Sequence, residues 1–159
     1  MSVAFTKEQD LEATAADLPD RPVSEHPNLV TPEGLAAIDE ALAAARAAYA
    51  SAQAAGGIDA DRTAMARAAR DLRYWSSRRA SAELVHRNPD QETVAFGARV
   101  TFEREDGRRQ SYRIVGEDEA DPTKGSVSYI APLARALMGK AVGDVATAPN
   151  GEVEIVAVE

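Results

Sequence analysis

Few side chains in this 159-residue sequence stand where they can do chemistry, and they fall into two groups. The first is a pair of carboxylates, Asp59 and Asp61, in the turn Gly56-Gly57-Ile58-Asp59-Ala60-Asp61 between two helical segments. If the chain reaches into a partner and acts there, this tip is its business end. Asp59 also has a plainer use, as the N-cap of the second helix. On a regular helix Asp61 points about 200° away from Asp59. The second group is a stripe. Arg67, Arg70, Tyr74 and Arg78 fall within about 80° of one another at 3.6 residues per turn. A basic stripe with one aromatic can face RNA or phosphates. It can equally be a solvated face supported by pairs such as Arg67 and Asp71 at i,i+4. No cysteine is present, which excludes a disulfide frame, a thiolate nucleophile and cysteine-ligated zinc. The two histidines, His26 and His86, lie outside the C-terminal segment, so no histidine-based triad assembles there.

The formal charge is -8, from 18 basic and 26 acidic residues. No global field recruits nucleic acid, and a partner held electrostatically presents a basic surface or meets a local basic patch. Residues 1–30 hold 2 basic and 6 acidic groups, residues 31–88 hold 8 and 7, and residues 89–159 hold 8 and 13. This split marks three segments. The start has no basic head followed by an apolar run, so no signal peptide is expected. No apolar stretch nears the roughly 20 residues needed to span a bilayer. A soluble, cytoplasmic protein is expected.

Residues 1–30 form an acidic leader with Pro19, Pro22 and Pro27 in its second half. Large apolar groups are too few to offset the entropy of ordering it. The segment is expected to be largely extended or disordered, with at most a helical turn around Gln9–Leu18. It is either a solvating tail or an acidic arm that folds back on a basic face or touches a partner.

Residues 31–88 read as an antiparallel helical hairpin. Thr31 is positioned to N-cap, Pro32 suits the first helical position and Glu33 suits the positive end of the dipole. Val30 and Leu35 make a plausible hydrophobic staple, but Gly34 stands where a capping box wants Glu. Leu35, Ile38, Leu42, Ala45, Tyr49 and Ala52 recur in steps of three and four, a coiled-coil seam. Gly56-Gly57 ends the first helix. The second runs from Asp59 or Asp61 to about Val85, with Met65, Ala68/Ala69, Leu72, Trp75, Arg79 and Ala82 as its seam. Two helices joined by a short turn pack antiparallel, with Ile38 near Arg79 and Leu42 near Leu72 and Trp75. Arg79, charged within the seam, is expected to reach Asp39 or Glu40. The seam thins to alanine toward the tip.

Residues 89–159 follow the boundary Asn88-Pro89-Asp90. Ala98–Glu103, Ser111–Val115, Ser126–Ile130, Val145–Ala148 and Glu152–Val158 alternate as strands, the first two joined through Glu105-Asp106-Gly107. Pro132–Gly139 reads as a short helix, with Pro near its start and Gly at its end. The fold class is α+β, a hairpin followed by a small twisted sheet on one helix.

The run Tyr112-Arg113-Ile114-Val115-Gly116-Glu117-Asp118-Glu119-Ala120-Asp121, then Lys124-Gly125-Ser126-Val127-Ser128 and Ala131–Lys140, resembles the C-terminal domain of the GreA/GreB transcription elongation factors. Val30-Thr31-Pro32-Glu33-Gly34-Leu35 and Ala68-Ala69-Arg70-Asp71 are similar to that family's hairpin. The resemblance spans about residues 29–159. It implies a coiled-coil hairpin joined to an FKBP-like domain, and binding to bacterial RNA polymerase. The globular domain would dock on the β′ subunit at the rim of the secondary channel, and the hairpin would enter toward the active site and the nascent RNA 3′ end. There the family's two acidic tip residues help hold Mg2+ and water, so that the polymerase hydrolyses backtracked RNA. The factor would act on the polymerase's active site and not catalyse alone.

Carried over residue by residue, Asp59 matches the first acid of the family's tip. Arg62 stands where the second acid, a Glu, belongs, with Asp61 as a stand-in. Each arm is about one heptad shorter than the family's, roughly 10 Å of reach. The polymerase-docking residues implied are Asp118, Glu119, Asp121, Ile130, Ala131, Pro132, Leu133 and Arg135. Ala131 replaces the Ser of the family's Ser-Pro contact. The resemblance thus implies a monomeric Gre-type regulator, either stimulating cleavage or occupying the channel without cleaving. An FKBP-like prolyl isomerase needs an aromatic-lined pocket, which Phe96, Phe102, Tyr112 and Tyr129 supply poorly. A coiled-coil scaffold is disfavoured because the hairpin satisfies its own seam.

Overall fold

The computed structural model describes residues 18–56 and 62–159. The chain divides into two compact units, one of residues 1–25 and 38–81, the other of residues 26–37 and 82–159. The second unit therefore takes in stretches that the sequence pattern gave to the leader and the hairpin.

The first unit is built on two helices, α1 (Pro32–Ala54), whose first turn belongs to the other unit, and α2 (Arg62–Ser81). At 1.5 Å per residue they run about 35 and 30 Å. The salt bridge between Arg79 and Asp39 pairs their base ends. A groove lined by Ala41, Ala45 and Ala48 of α1 and Ala68, Asp71 and Trp75 of α2 runs between them, so the helices are antiparallel. Ile38, Leu42, Ala45 and Ala68 are buried, while Tyr49, Ala52 and Met65 nearer the tip are only half-buried. The seam does thin toward the tip. Arg79 reaches Asp39 as expected, from an exposed position beside the seam. Helix α2 stops at Ser81, four residues short of the expected end.

The second unit explains that early stop. Leu29–Val30 (β1) pairs in parallel with Glu83–Leu84 (β2), and Val85 N donates to Val30 O at 2.9 Å. Two-residue strands leave no periodic trace in a sequence, so only the packing shows them. The main sheet holds β3 (Arg99–Arg104), β4 (Arg109–Val115), β5 (Ser126–Ser128), β6 (Val145–Ala148) and β7 (Gly151–Val158), in the order β5-β4-β3-β7-β6. All pairs are antiparallel except β4 with β5. In the β3–β4 turn Gly107 takes a φ of +83°, a left-handed conformation that glycine adopts without strain.

Alternation along β3 sends Val100 and Phe102 inward, and along β7 Val153 and Ile155. They meet Ile114, Val127 and Ala146 from the other strands. Helix α3 (Pro132–Leu137) closes the core with Ala134 and Leu137, both fully buried. Each fully buried Phe, Ile or Leu here contributes about 1.5–3 kcal/mol relative to exposure. Among the described residues no helix is long and apolar enough to cross a membrane.

Candidate functional site

The eight docking residues expected from the sequence lie on one continuous run, from the turn after β4 through edge strand β5 into α3. Its geometry starts at Gly116. A Cβ there would sit 2.3 Å from Leu29 O, so only glycine lets β1 approach this closely. Ala120 N then donates to Gly116 O, turning the chain through Asp118 and Glu119. The carboxylate of Glu119 accepts the Thr31 hydroxyl at 2.6 Å, so it serves the start of α1. Asp121 caps the 3-10 turn Pro122–Lys124, accepting from Thr123 Oγ1 at 2.6 Å and Thr123 N at 3.1 Å. The Thr123 hydroxyl bond first, and the backbone bonds after it, hold the Asp121 carboxyl below its ordinary value. It is anionic at neutral pH.

Beyond β5, Ile130 N donates to Ser128 Oγ and Ala131 N to Ser128 O. Ala131 stands at the N-cap of α3 without a side-chain cap bond, as expected for Ala in place of Ser. Pro132 is exposed at the first helical position, Leu133 is partly buried against the core, and Arg135 is exposed. The run thus carries the charged Asp121 and Arg135 and the apolar Ile130, Pro132 and Leu133.

On the hairpin, Asp59 and Asp61 lie outside the described residues. Among the described residues no three side chains of metal-binding type gather. Of the stripe, Arg67 is exposed and Arg70 is half-buried, 3.7 Å from Asp71. Arg78 corrects the expectation, being only 2% exposed and so no outward-facing cation. Arg67 and Arg78 are eleven residues apart and share a helix face to within about 20°. Helix phase therefore cannot explain why one is buried and the other not. The leader does reach this face, one turn before Arg78. The Arg21 guanidinium sits 3.9 Å over the Tyr74 ring and 5.4 Å from that of Trp75, and it pairs with Asp71 at 3.3 Å. Asp20 pairs with Arg73 at 2.7 Å.

Sequence reasoning passed over Asp20 and Arg21. The available signal was charge, since α2 carries six arginines against one aspartate and the leader is acidic. Two cavities of the sheet unit are lined by charged residues, among them Arg104 at the end of β3, Asp106 in the following turn and Glu152 of β7, and no aromatic side chain lines either one.

Comparison with known proteins meets this geometry. Residues 88–159 match the family model "Transcription elongation factor, GreA/GreB, C-term". Transcription elongation factor GreB of Pasteurella multocida (strain Pm70) is 45% identical over 76 residues, 47% of this chain and 48% of that one. Transcription elongation factor GreA of Desulfovibrio desulfuricans is 38% identical over 101 residues, 61% of this chain and 62% of that one. The chain spans about half the length of the curated GreB relatives it matches. The crystal structure of GreA factor homolog 1 (Gfh1) of Thermus thermophilus aligns over 84% of this chain and 99% of that one. Its identity is 23% and its TM-score 0.40, too loose a likeness to carry an argument. The matched domain contains β3 to β7, α3 and the whole run from Asp118 to Arg135, so this part of the chain is similar to the C-terminal domain of the GreA/GreB transcription elongation factors.

Proposed function

We propose that this chain is a regulator of bacterial RNA polymerase that docks through residues 118–135 and places its hairpin in the secondary channel. The observation that carries this is the edge run itself. Ile130, exposed Pro132 and Leu133, with charged Asp121 and Arg135 in the same run, fall inside the domain that matches the family. The sheet domain is taken as FKBP-like in fold, used here as a docking platform on the β′ subunit, and the chain acts as a monomer in the cytoplasm. On the hairpin, the Arg67–Arg70–Tyr74 part of the stripe is assigned to the nascent RNA 3′ end.

At the tip, Asp59 and its neighbour Asp61 are assigned to Mg2+ in the polymerase's active site. Such an ion polarises the scissile phosphate and activates water, and a carboxylate helps to position it. Arg62, the first residue of α2, supports a second reading, that of a channel occupant that does not cleave. It puts a positive charge where a second carboxylate would be needed. Transcript cleavage on a stalled, backtracked polymerase separates the two. Cleavage that Asp59→Ala abolishes identifies a cleavage factor, and no cleavage with polymerase binding intact identifies the occupant.

A further inference from the structure

Residues Asp20 and Arg21 of the leader lie on one surface. They form ion pairs and ring contacts on α2, at Asp71, Arg73, Tyr74 and Trp75. On a helix of 3.6 residues per turn, Asp71 and Tyr74 share the face of Arg67 to within about 40°. The leader therefore covers the middle of the very stripe assigned to RNA. Charge explains the choice. Residues 1–25 hold two basic and six acidic groups, and α2 holds six arginines and one aspartate.

We propose that Asp20–Arg21 is an intrachain latch over the α2 stripe, displaced when single-stranded RNA binds there. This rests on the assignment of the stripe to RNA made above. Two of the latch contacts imitate ones that RNA would make. The Arg21 guanidinium carbon sits 3.9 Å over the Tyr74 ring, where an unpaired base would stack. The Asp20 carboxylate neutralises Arg73, as a phosphate oxygen would. The pairs are weak enough to yield. The four side chains of the two salt bridges are 36–66% exposed, and exposed pairs are screened by water and salt. A latch made of such contacts holds the site closed against weak or non-specific polyanions and gives way to a strand delivered at high local concentration.

The test uses the full chain and the double substitution Asp20→Ala with Arg21→Ala, which removes one charge of each sign and leaves the net charge at -8. Affinity for a fluorescein-labelled 12-nucleotide oligouridylate is read by anisotropy at low salt, with circular dichroism confirming helix content. Losing two exposed pairs and a cation–π contact predicts an affinity gain on the order of 3–10-fold. Tyr74→Ala in the double variant reverses the gain, and Arg21→Lys, which keeps the charge but stacks less well, gives a smaller one. Trp75, the single tryptophan, reports the latch directly because Arg21 lies against its ring. RNA shifts its emission in the wild type toward the value that the double variant shows without RNA. Equal RNA affinity for wild type and double variant overturns the latch, as does a Trp75 signal moved by polymerase but not by RNA. Because polymerase is absent from the anisotropy assay, its outcome is independent of whether residues 118–135 dock.

Discussion

Thr31 Oγ1 accepts a 2.9 Å hydrogen bond from Gly34 N and donates a 2.6 Å one to Glu119, 88 residues further along the chain. The first bond is an ordinary N-cap. The second ties that cap to the turn after β4, because Glu119 accepts from the Thr31 hydroxyl itself and not from the backbone N–H that a capping-box Glu at position 34 would take. Gly34 is what makes room. A Cβ there would meet Glu119 Oε2 at 2.5 Å and Thr31 Oγ1 at 3.2 Å.

Gly34→Ala should therefore break the usual rule for glycine in a helix. In open surroundings the change stabilises by up to about 1 kcal/mol. Here the methyl displaces the Glu119 carboxylate from the Thr31 hydroxyl, a charge-assisted bond, for a net loss of about 1 kcal/mol. Urea unfolding measures the sign. With Glu119→Ala already in place the obstruction is gone, and Gly34→Ala should become neutral or stabilising. Additive effects of the two changes would contradict this coupling.

Gly116→Ala is predicted to be worse, because its obstacle is backbone. The new Cβ would lie 2.3 Å from Leu29 O, and no side-chain rotation relieves that. The β1–β2 pair must shift, for a loss of about 2 kcal/mol or more. Thermal unfolding and hydrogen exchange at Glu83 N, which donates to Asn28 O, report it. A variant with wild-type stability and wild-type protection would show that β1 does not depend on this approach.

The strands of the sheet were legible because alternation writes a buried face directly into the chain. The expected Val145–Ala148 is β6 itself, and the expected Glu152–Val158 differs from β7 by one residue. The start of α1 was legible for a similar reason, since Thr31 and Pro32 carry local signals. What the sequence hid is long-range. Nothing near Gly34 points to Glu119, and nothing in Glu83–Leu84 announces a partner at Leu29–Val30. Periodicity placed Arg67 and Arg78 on one face correctly, but it could not see that the leader lies over part of it. The residues proposed for docking come from resemblance, and their run along one sheet edge followed from the fold. The carboxylates of the tip lie outside the described residues.

Glu33 gives a pH prediction. Its own backbone N–H at the helix start lowers the pKa below the ordinary 4.5, with partial burial opposing and the Arg113 guanidinium, 3.4 Å away, adding to the lowering. A carboxyl depressed in the folded state stabilises fully above its unfolded value and loses that stabilisation as pH falls through the folded one. The side chain is 66% exposed, so Glu33→Gln should lose only a few tenths of a kcal/mol at pH 7 after solvent screening. The gap between wild type and variant should close as pH drops below 4.5. A gap that persists in acid would mean that the charge is not its source.

The central claim is that residues 118–135 dock the chain on RNA polymerase, and Pro132→Glu tests it most directly. Pro132 is exposed at the start of α3, so the substitution leaves the core intact while putting a charge into the proposed docking run. Affinity of the full chain for bacterial RNA polymerase, measured by surface plasmon resonance, is predicted to fall at least tenfold, the equivalent of about 1.4 kcal/mol or more. Unchanged affinity in a folded variant would contradict the assignment of this edge as the docking surface.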